Sequence, residues 1–142
     1  MTVEIYITTN FHGKVSKGSG AYGIVLRLAG RPETARYHIT GWRGLSYQKL
    51  NVRAVVEAIG YITEPVSALM YLDNAYAVTM IEKGDARGNA HRELWERYYE
   101  TAAGLKEITV ERIREHEYRR ELIKRISSGG YLVKEERGDR NV

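Results

Sequence analysis

The acid best placed for chemistry is Asp73, which ends the apolar run Ala68-Leu69-Met70-Tyr71-Leu72. A carboxylate at the end of a buried strand can ligate a hard divalent cation; it can equally cap a helix starting at Asn74. His116 follows another strand-like run and could move a proton near neutral pH, or be an exposed polar residue leading into the last helix. His12, His38 and His91 are scattered without zinc-ligand spacing, and no Ser-His-Asp arrangement is readable from residue order. The absence of cysteine excludes disulfides, thiolate zinc sites and cysteine nucleophiles. From Glu111 to Arg125, the cations Arg112, Arg114, Arg119, Arg120, Lys124 and Arg125 stand among Glu111, Glu115, Glu117 and Glu121. Four-residue spacings such as Glu115 to Arg119 support a solvated helix, while the same cations could face phosphate. Gly18-Ser19-Gly20-Ala21-Tyr22-Gly23 spells G-x-G-x-x-G, but a strand follows it. The helix N-terminus that would hold a pyrophosphate is therefore missing, and the glycines serve a loop and close backbone packing.

The elements that must position these residues follow from hydrophobic period. Strand alternation marks residues 3–9, 22–28 and 34–42, separated by a glycine-rich loop at 12–20 and a turn at Gly30-Arg31-Pro32. Ser46 can cap a helix that ends at Gly60 or Pro65. Residues 68–72 then predict a strand buried on both faces, and 74–82 a short helix. A helix carrying Leu94, Trp95, Tyr98, Tyr99 and Ala102 follows, closed by Gly104 as a left-handed residue. A last strand spans 108–113 and a last helix 118–127. The order β-β-β-α-β-α-α-β-α predicts an α/β fold with a five-stranded mixed sheet and helices on both faces. One domain, 1–128, and a charged tail, 129–142, are expected from 142 residues of which 43% are hydrophobic and 28% charged. The net charge of +4 permits an anionic partner. Without a basic-then-apolar leader or a long apolar run, the reading is cytoplasmic, with no membrane partner. Tyrosine supplies 11 of the aromatic residues, which suits a protein interface.

Five separate segments together resemble the ribonuclease H family. Val3-Glu4-Ile5-Tyr6-Ile7 resembles its first strand, and Gly20-Ala21-Tyr22-Gly23-Ile24-Val25-Leu26 its glycine-flanked second strand. Leu72-Asp73-Asn74-Ala75-Tyr76-Ala77-Val78 resembles the strand end carrying an aspartate, Leu94-Trp95-Glu96-Arg97 the Leu-Trp word of a later helix, and Ile108 to His116 the last strand and its following histidine. The resemblance implies hydrolysis of RNA/DNA hybrids by two divalent ions, Mg²⁺ or Mn²⁺, held by four acids.

Those four positions fall on Thr8, Asn51, Asp73 and Arg120, with Glu117 or Glu121 as displaced candidates for the last. Asp73 and His116 are the retained catalytic positions. Asp73 alone would bind a metal ion weakly, so no cofactor is expected. Asn10, Ser46, Tyr47, Gln48, Lys49 and Arg120 lie where the family touches nucleic acid. A basic protrusion found in some members has no room between Glu82 and Asn89. The resemblance thus implies a catalytically degenerate domain that binds an RNA/DNA hybrid or duplex. The alternatives are a residual Mg²⁺- or Mn²⁺-dependent hydrolase using Asp73, His116 and a displaced glutamate, and a tyrosine-rich homo-oligomeric or protein-interaction module. Acids at Thr8, Asn51 and Arg120 would cancel the whole +4, which attributes the excess charge to the former metal site.

Overall fold

The structure, a computed structural model, describes residues 1–86 and 90–137. Strands β1 (Thr2–Lys14), β2 (Lys17–Leu28) and β3 (Arg31–Leu45) form an antiparallel meander, followed by α1 (Tyr47–Gly60) and β4 (Ser67–Leu72). Helices α2 (Ala75–Lys83) and α3 (Arg92–Ala102) lead to β5 (Glu107–Arg112), then α4 (Arg119–Ser128) and β6 (Val133–Glu135). The sheet order is β5-β4-β1-β2-β3-β6, with β4 parallel to both β1 and β5. A mixed α/β sheet is thus present as expected, with six strands where five were predicted.

Alternation along β1 sorts its side chains to the two faces. Ile5 and Ile7 join the larger core under α1, α2 and α3, with Leu50, Val55, Ile59, Met70, Leu72 and Trp95. Tyr6 points the other way, to a smaller cluster with Val25 and Leu122 of α4. Since α4 is the one helix on that side among the described residues, the expectation that β4 is buried on both faces is corrected. Ala68, Met70 and Leu72 are buried, whereas Ser67, Leu69 and Tyr71 are half-covered.

The glycine-rich segment predicted as a loop is a hairpin instead. β1 runs on to Lys14, β2 begins at Lys17, and the pairing extends to Gly13 opposite Gly18. Missing side chains here admit neighbours: a Cβ on Gly20 would lie 2.8 Å from Leu50 Cδ2 of α1, and one on Gly23 would lie 2.7 Å from Leu122 Cδ2 of α4. The two glycines let helices approach the sheet from opposite sides.

Three further boundaries differ. Asn74, not Asp73, caps α2, its Oδ1 accepting from the Ala77 N–H at 2.8 Å. Gly104 is not left-handed, because α3 closes through Ala103 with φ −60°. The tail expected beyond residue 128 turns back at Gly129 (φ +71°) and Gly130 (φ +83°), so that β6 lies parallel to β3 with Trp42 opposite Lys134. Ser46 caps α1 as expected, its Oγ accepting from the Lys49 N–H at 3.0 Å.

Gly23→Ala is expected to displace Leu122 and Ile39 and to destabilise the protein by about 1–3 kcal/mol, the usual cost of overpacking. A urea midpoint equal to wild type would refute the seat assigned to α4.

Candidate active-site cleft

β1 and β4 run parallel with Tyr6 opposite Tyr71, so Thr8 and Asp73 emerge at the same end of the sheet. Asn51 arrives there from the second turn of α1. These three residues line one cleft of about 220 Å³, together with Thr9, Tyr47, Arg114 and Arg119. The fourth residue predicted to join them, Arg120, does not line it.

Helix geometry explains the difference. Leu122, fully buried against Gly23, anchors α4, and Arg119 lies three residues earlier on the same face. Arg120 is rotated into solvent. The displaced acids are turned away too. Glu117 accepts two hydrogen bonds from Arg27, at 2.8 and 3.0 Å, and Glu121 pairs with Arg125 at 3.3 Å. Among the described residues, Arg119 and Arg114 share only Glu115, at 3.3 and 3.9 Å, and that carboxylate is 77% exposed.

Thr8 and His116 are both buried, and Thr8 Oγ1 is 2.9 Å from His116 Nε2. The Tyr118 N–H donates to His116 Nδ1 at 3.2 Å, so the ring proton sits on Nε2, which faces Thr8 Oγ1 and the Ile7 carbonyl at 3.2 Å. His116 is therefore neither exposed nor unpartnered: it clamps the turn before α4 onto β1. Burial pushes its imidazole below the usual range, outweighing the Ile7 carbonyl, which favours the charged form.

Asn51 is buried, with Nδ2 donating to the Tyr47 carbonyl at 3.0 Å and Oδ1 3.5 Å from Thr9 Oγ1. Its amide supplies a donor that a carboxylate lacks. Asp73 is half-exposed and pairs with Arg112 at 3.1 Å. Among the described residues no three His, Asp or Glu side chains group closely enough to hold a metal ion. One carboxylate beside Arg114 and Arg119 does not fit a pair of divalent cations, which require several anionic oxygens.

The residues expected to touch nucleic acid divide among three places. Tyr47 lines this cleft, its ring edge-on to Phe11. Gln48 Oε1 accepts from Asn74 Nδ2 at 3.0 Å. Ser46 and Lys49 open instead on a larger neighbouring cleft of about 500 Å³, with Lys17, Arg53, Arg92 and Arg97. Asn10 lies apart, in a third depression beside Tyr131. Sequence reasoning missed Arg53, although its position four residues after Lys49 on a helix was a legible signal of a basic stripe. It also missed Glu136, which no local pattern connects to α1. Asn89, which bounded the predicted space for a protrusion, lies outside the described residues.

Two outcomes test these assignments. Asn51→Asp is expected to cost about 1–3 kcal/mol, since the Tyr47 carbonyl loses its side-chain donor and a buried charge faces it instead; an unchanged thermal midpoint would refute the hydrogen-bond assignment. For His116, the unfolded ring takes up a proton near pH 6.5, and the folded ring only at lower pH. The unfolded state thus binds more protons between those values, and stability falls as pH drops below about 6.5. The urea midpoint should decline from about pH 8 to pH 5.5, and His116→Gln should flatten the decline. Equal slopes in both proteins would sink the clamp.

No protein-family model matches the chain, and no curated protein matches it. Solved structures do. Ribonuclease H1 from the halophilic archaeon Halobacterium salinarum NRC-1 superposes at TM-score 0.64 and 13% identity, over 81% of this chain and 87% of that one. The N-terminal ribonuclease H domain of a Mycobacterium tuberculosis protein gives 0.68 and 13%, over 89% and 92%. A type 1 ribonuclease H with the type 2 active-site motif gives 0.64 and 16%, over 89% and 72%. Identities this low carry architecture and not chemistry, and the architecture they establish for this chain is a ribonuclease H-like fold.

Proposed function

We propose that this domain binds nucleic acid, an RNA/DNA hybrid or another duplex, without cleaving it by a two-metal mechanism. One observation carries the reading. The cleft where Thr8, Asn51 and Asp73 converge presents a single carboxylate, already paired with Arg112, and two loosely compensated arginines, Arg114 and Arg119. Such a surface attracts phosphodiester oxygens directly, through charge-assisted hydrogen bonds from planar guanidinium groups. The threonine hydroxyl of Thr9 and the phenol of Tyr47 add neutral donors at the rim. The adjacent basic cleft extends the positive surface beyond the first phosphate contact.

Hydrolysis gains no support from the acids that could have revived it, because Glu117 and Glu121 are engaged elsewhere with Arg27 and Arg125. The tyrosine-rich interface fares similarly: of the 11 tyrosines only Tyr61 is exposed, and it stacks on His38 at 3.9 Å and donates to Glu57. No helix among the described residues is long and apolar enough to cross a membrane. A cytoplasmic domain needing no cofactor accords with the reading.

A fluorescently labelled RNA/DNA hybrid should bind with the same affinity in EDTA as in Mg²⁺. For about four phosphate contacts, raising salt from about 50 to about 200 mM should weaken binding roughly a hundredfold. Arg119→Ala should cost about tenfold, the worth of one charged hydrogen bond. Absence of binding at low salt overturns the reading, as does Mg²⁺- or Mn²⁺-dependent cleavage abolished by Asp73→Ala.

A further inference from the structure

The larger basic cleft already holds an anion from the chain itself. β6 delivers Glu136 to α1, and its carboxylate accepts from Arg53 Nη2 at 2.7 Å and Nε at 3.0 Å, both on one oxygen. The other oxygen lies 3.2 Å from Lys49 Nζ. This carboxylate is 8% exposed, less than any other acid in an ion pair among the described residues. Burial opposes its charge, but Arg53 and Lys49 outweigh burial and hold it below the usual carboxylate range. It is therefore ionised throughout the neutral range.

The surroundings differ from those of an ordinary structural ion pair in two respects. Cation supply exceeds demand: Lys17, Lys49, Arg53, Arg92 and Arg97 line the cleft against Glu93 and Glu136, and Lys17 and Arg97 make no ion pair among the described residues. The carboxylate also follows a short edge strand, whose Lys134 lies over Trp42 at 5.5 Å and whose Glu135 pairs with Arg43. β6 is three residues long, exposed along its whole length, and paired on one side to β3. Arg53 is meanwhile braced without it, stacked over Trp42 at 4.3 Å. Both cations stand on α1, whereas the carboxylate reaches them from beyond a short edge strand, the arrangement of a chain that occupies its own anion site.

We propose that Glu136 stands in for a nucleic-acid phosphate, so that the C-terminal strand competes with a bound phosphodiester backbone for Lys49 and Arg53. The inference rests on the nucleic-acid reading above but concerns a different cleft. When a phosphate takes the Arg53 and Lys49 donors that now hold Glu136, the carboxylate leaves them, and β6 separates from β3. Apparent affinity is then reduced by the fraction of molecules whose cleft is open.

Binding of the labelled hybrid at low salt to wild type, Glu136→Gln and Glu135→Gln tests this. Glu135 is the exposed neighbour on β6 and pairs with Arg43 at 3.3 Å, so its variant removes the same charge outside the cleft. A cleft closed in about nine molecules of ten makes Glu136→Gln bind about tenfold tighter, while Glu135→Gln should stay within about twofold. In wild type, hydrogen exchange at the Glu136 amide, which donates to the Arg43 carbonyl at 2.9 Å, should accelerate on adding hybrid. Equal affinity of Glu136→Gln and wild type overturns competition while leaving nucleic-acid binding intact, as does equal tightening by both variants. Unchanged or slower exchange at Glu136 in the complex also overturns it, by a readout that does not depend on any substitution. No binding by any of the three proteins overturns the function proposed above, and competition with it.

Discussion

The cleft depends on the buried imidazole of His116, which joins two pieces of chain through two ring nitrogens. One nitrogen accepts the Tyr118 amide at the start of α4, and the other faces Thr8 and the Ile7 carbonyl of β1. With both nitrogens satisfied, the ring has no lone pair to offer a substrate in the neutral form that burial favours. The clamp fixes the start of α4, whose phase is held by Leu122 against Gly23. Counting from Tyr118, the next residue falls toward the cleft and the one after it toward solvent, so Arg119 rather than Arg120 meets Thr8 and Asp73. His116 thus decides what the first-strand position can do, and Leu122 which cation stands opposite it.

The same face of the sheet, beneath α4, explains why Glu117 stands away from the cleft. Arg27, 11% exposed, pairs with Glu4 and Glu117, donates to the Tyr118 hydroxyl, and lies over the rings of Tyr6 and Tyr118 at 5.1 and 5.3 Å. Withdrawing a guanidinium this far from water is costly unless several acceptors compensate it together. Glu117 is one of those acceptors, which ties it to the sheet face below α4. The same network places Tyr6 in stacking contact with Tyr71, 4.9 Å between centroids, and with Tyr118. Tyrosines that composition alone suggests for an interface are thereby consumed inside the domain. Tyr22 shows the same logic on the other side, donating to Glu57 at 2.6 Å while accepting from the Trp42 indole.

Much of the fold was legible in the sequence because hydrophobic period records burial directly. The alternation of Val3, Ile5 and Ile7 and the capped stripe of Leu50, Ala54 and Ala58 both lead to the observed elements. What stayed hidden depends on partners distant in sequence. Gly18 and Gly20 looked like loop residues because the missing Cβ serves Phe11 and Leu50, which local reading cannot see. Val133 to Glu135 are too few and too polar to announce a strand, and acquire one only from the edge that β3 offers. Asp73 and Asn74 are both good caps by type, and only the register of β4 on β1 decides between them. In the cleft, Thr8, Asn51 and Asp73 could be placed together through the family resemblance. Arg119 could not, since a one-residue shift on a helix rotates a side chain by about 100°.

The placement of Arg119 also changes the meaning of the +4 charge. Assigning the excess to Thr8, Asn51 and Arg120 fails locally, because Arg120 contributes its charge to solvent. The cleft is electropositive for another reason: Arg114 and Arg119 share one exposed carboxylate, and Asp73 is matched by Arg112. Nor are the neutral positions simple gaps awaiting an acid. A carboxylate at Asn51 would face the Tyr47 carbonyl that the amide now satisfies, and Thr8 already holds the His116 contact that fixes α4. Each of these side chains is bound to a neighbour, so an acid at either position would disturb a hydrogen bond or leave a lone charge beside two arginines. The electrostatics of the cleft are a property of the assembled set, which is why its sign could be read from no single residue.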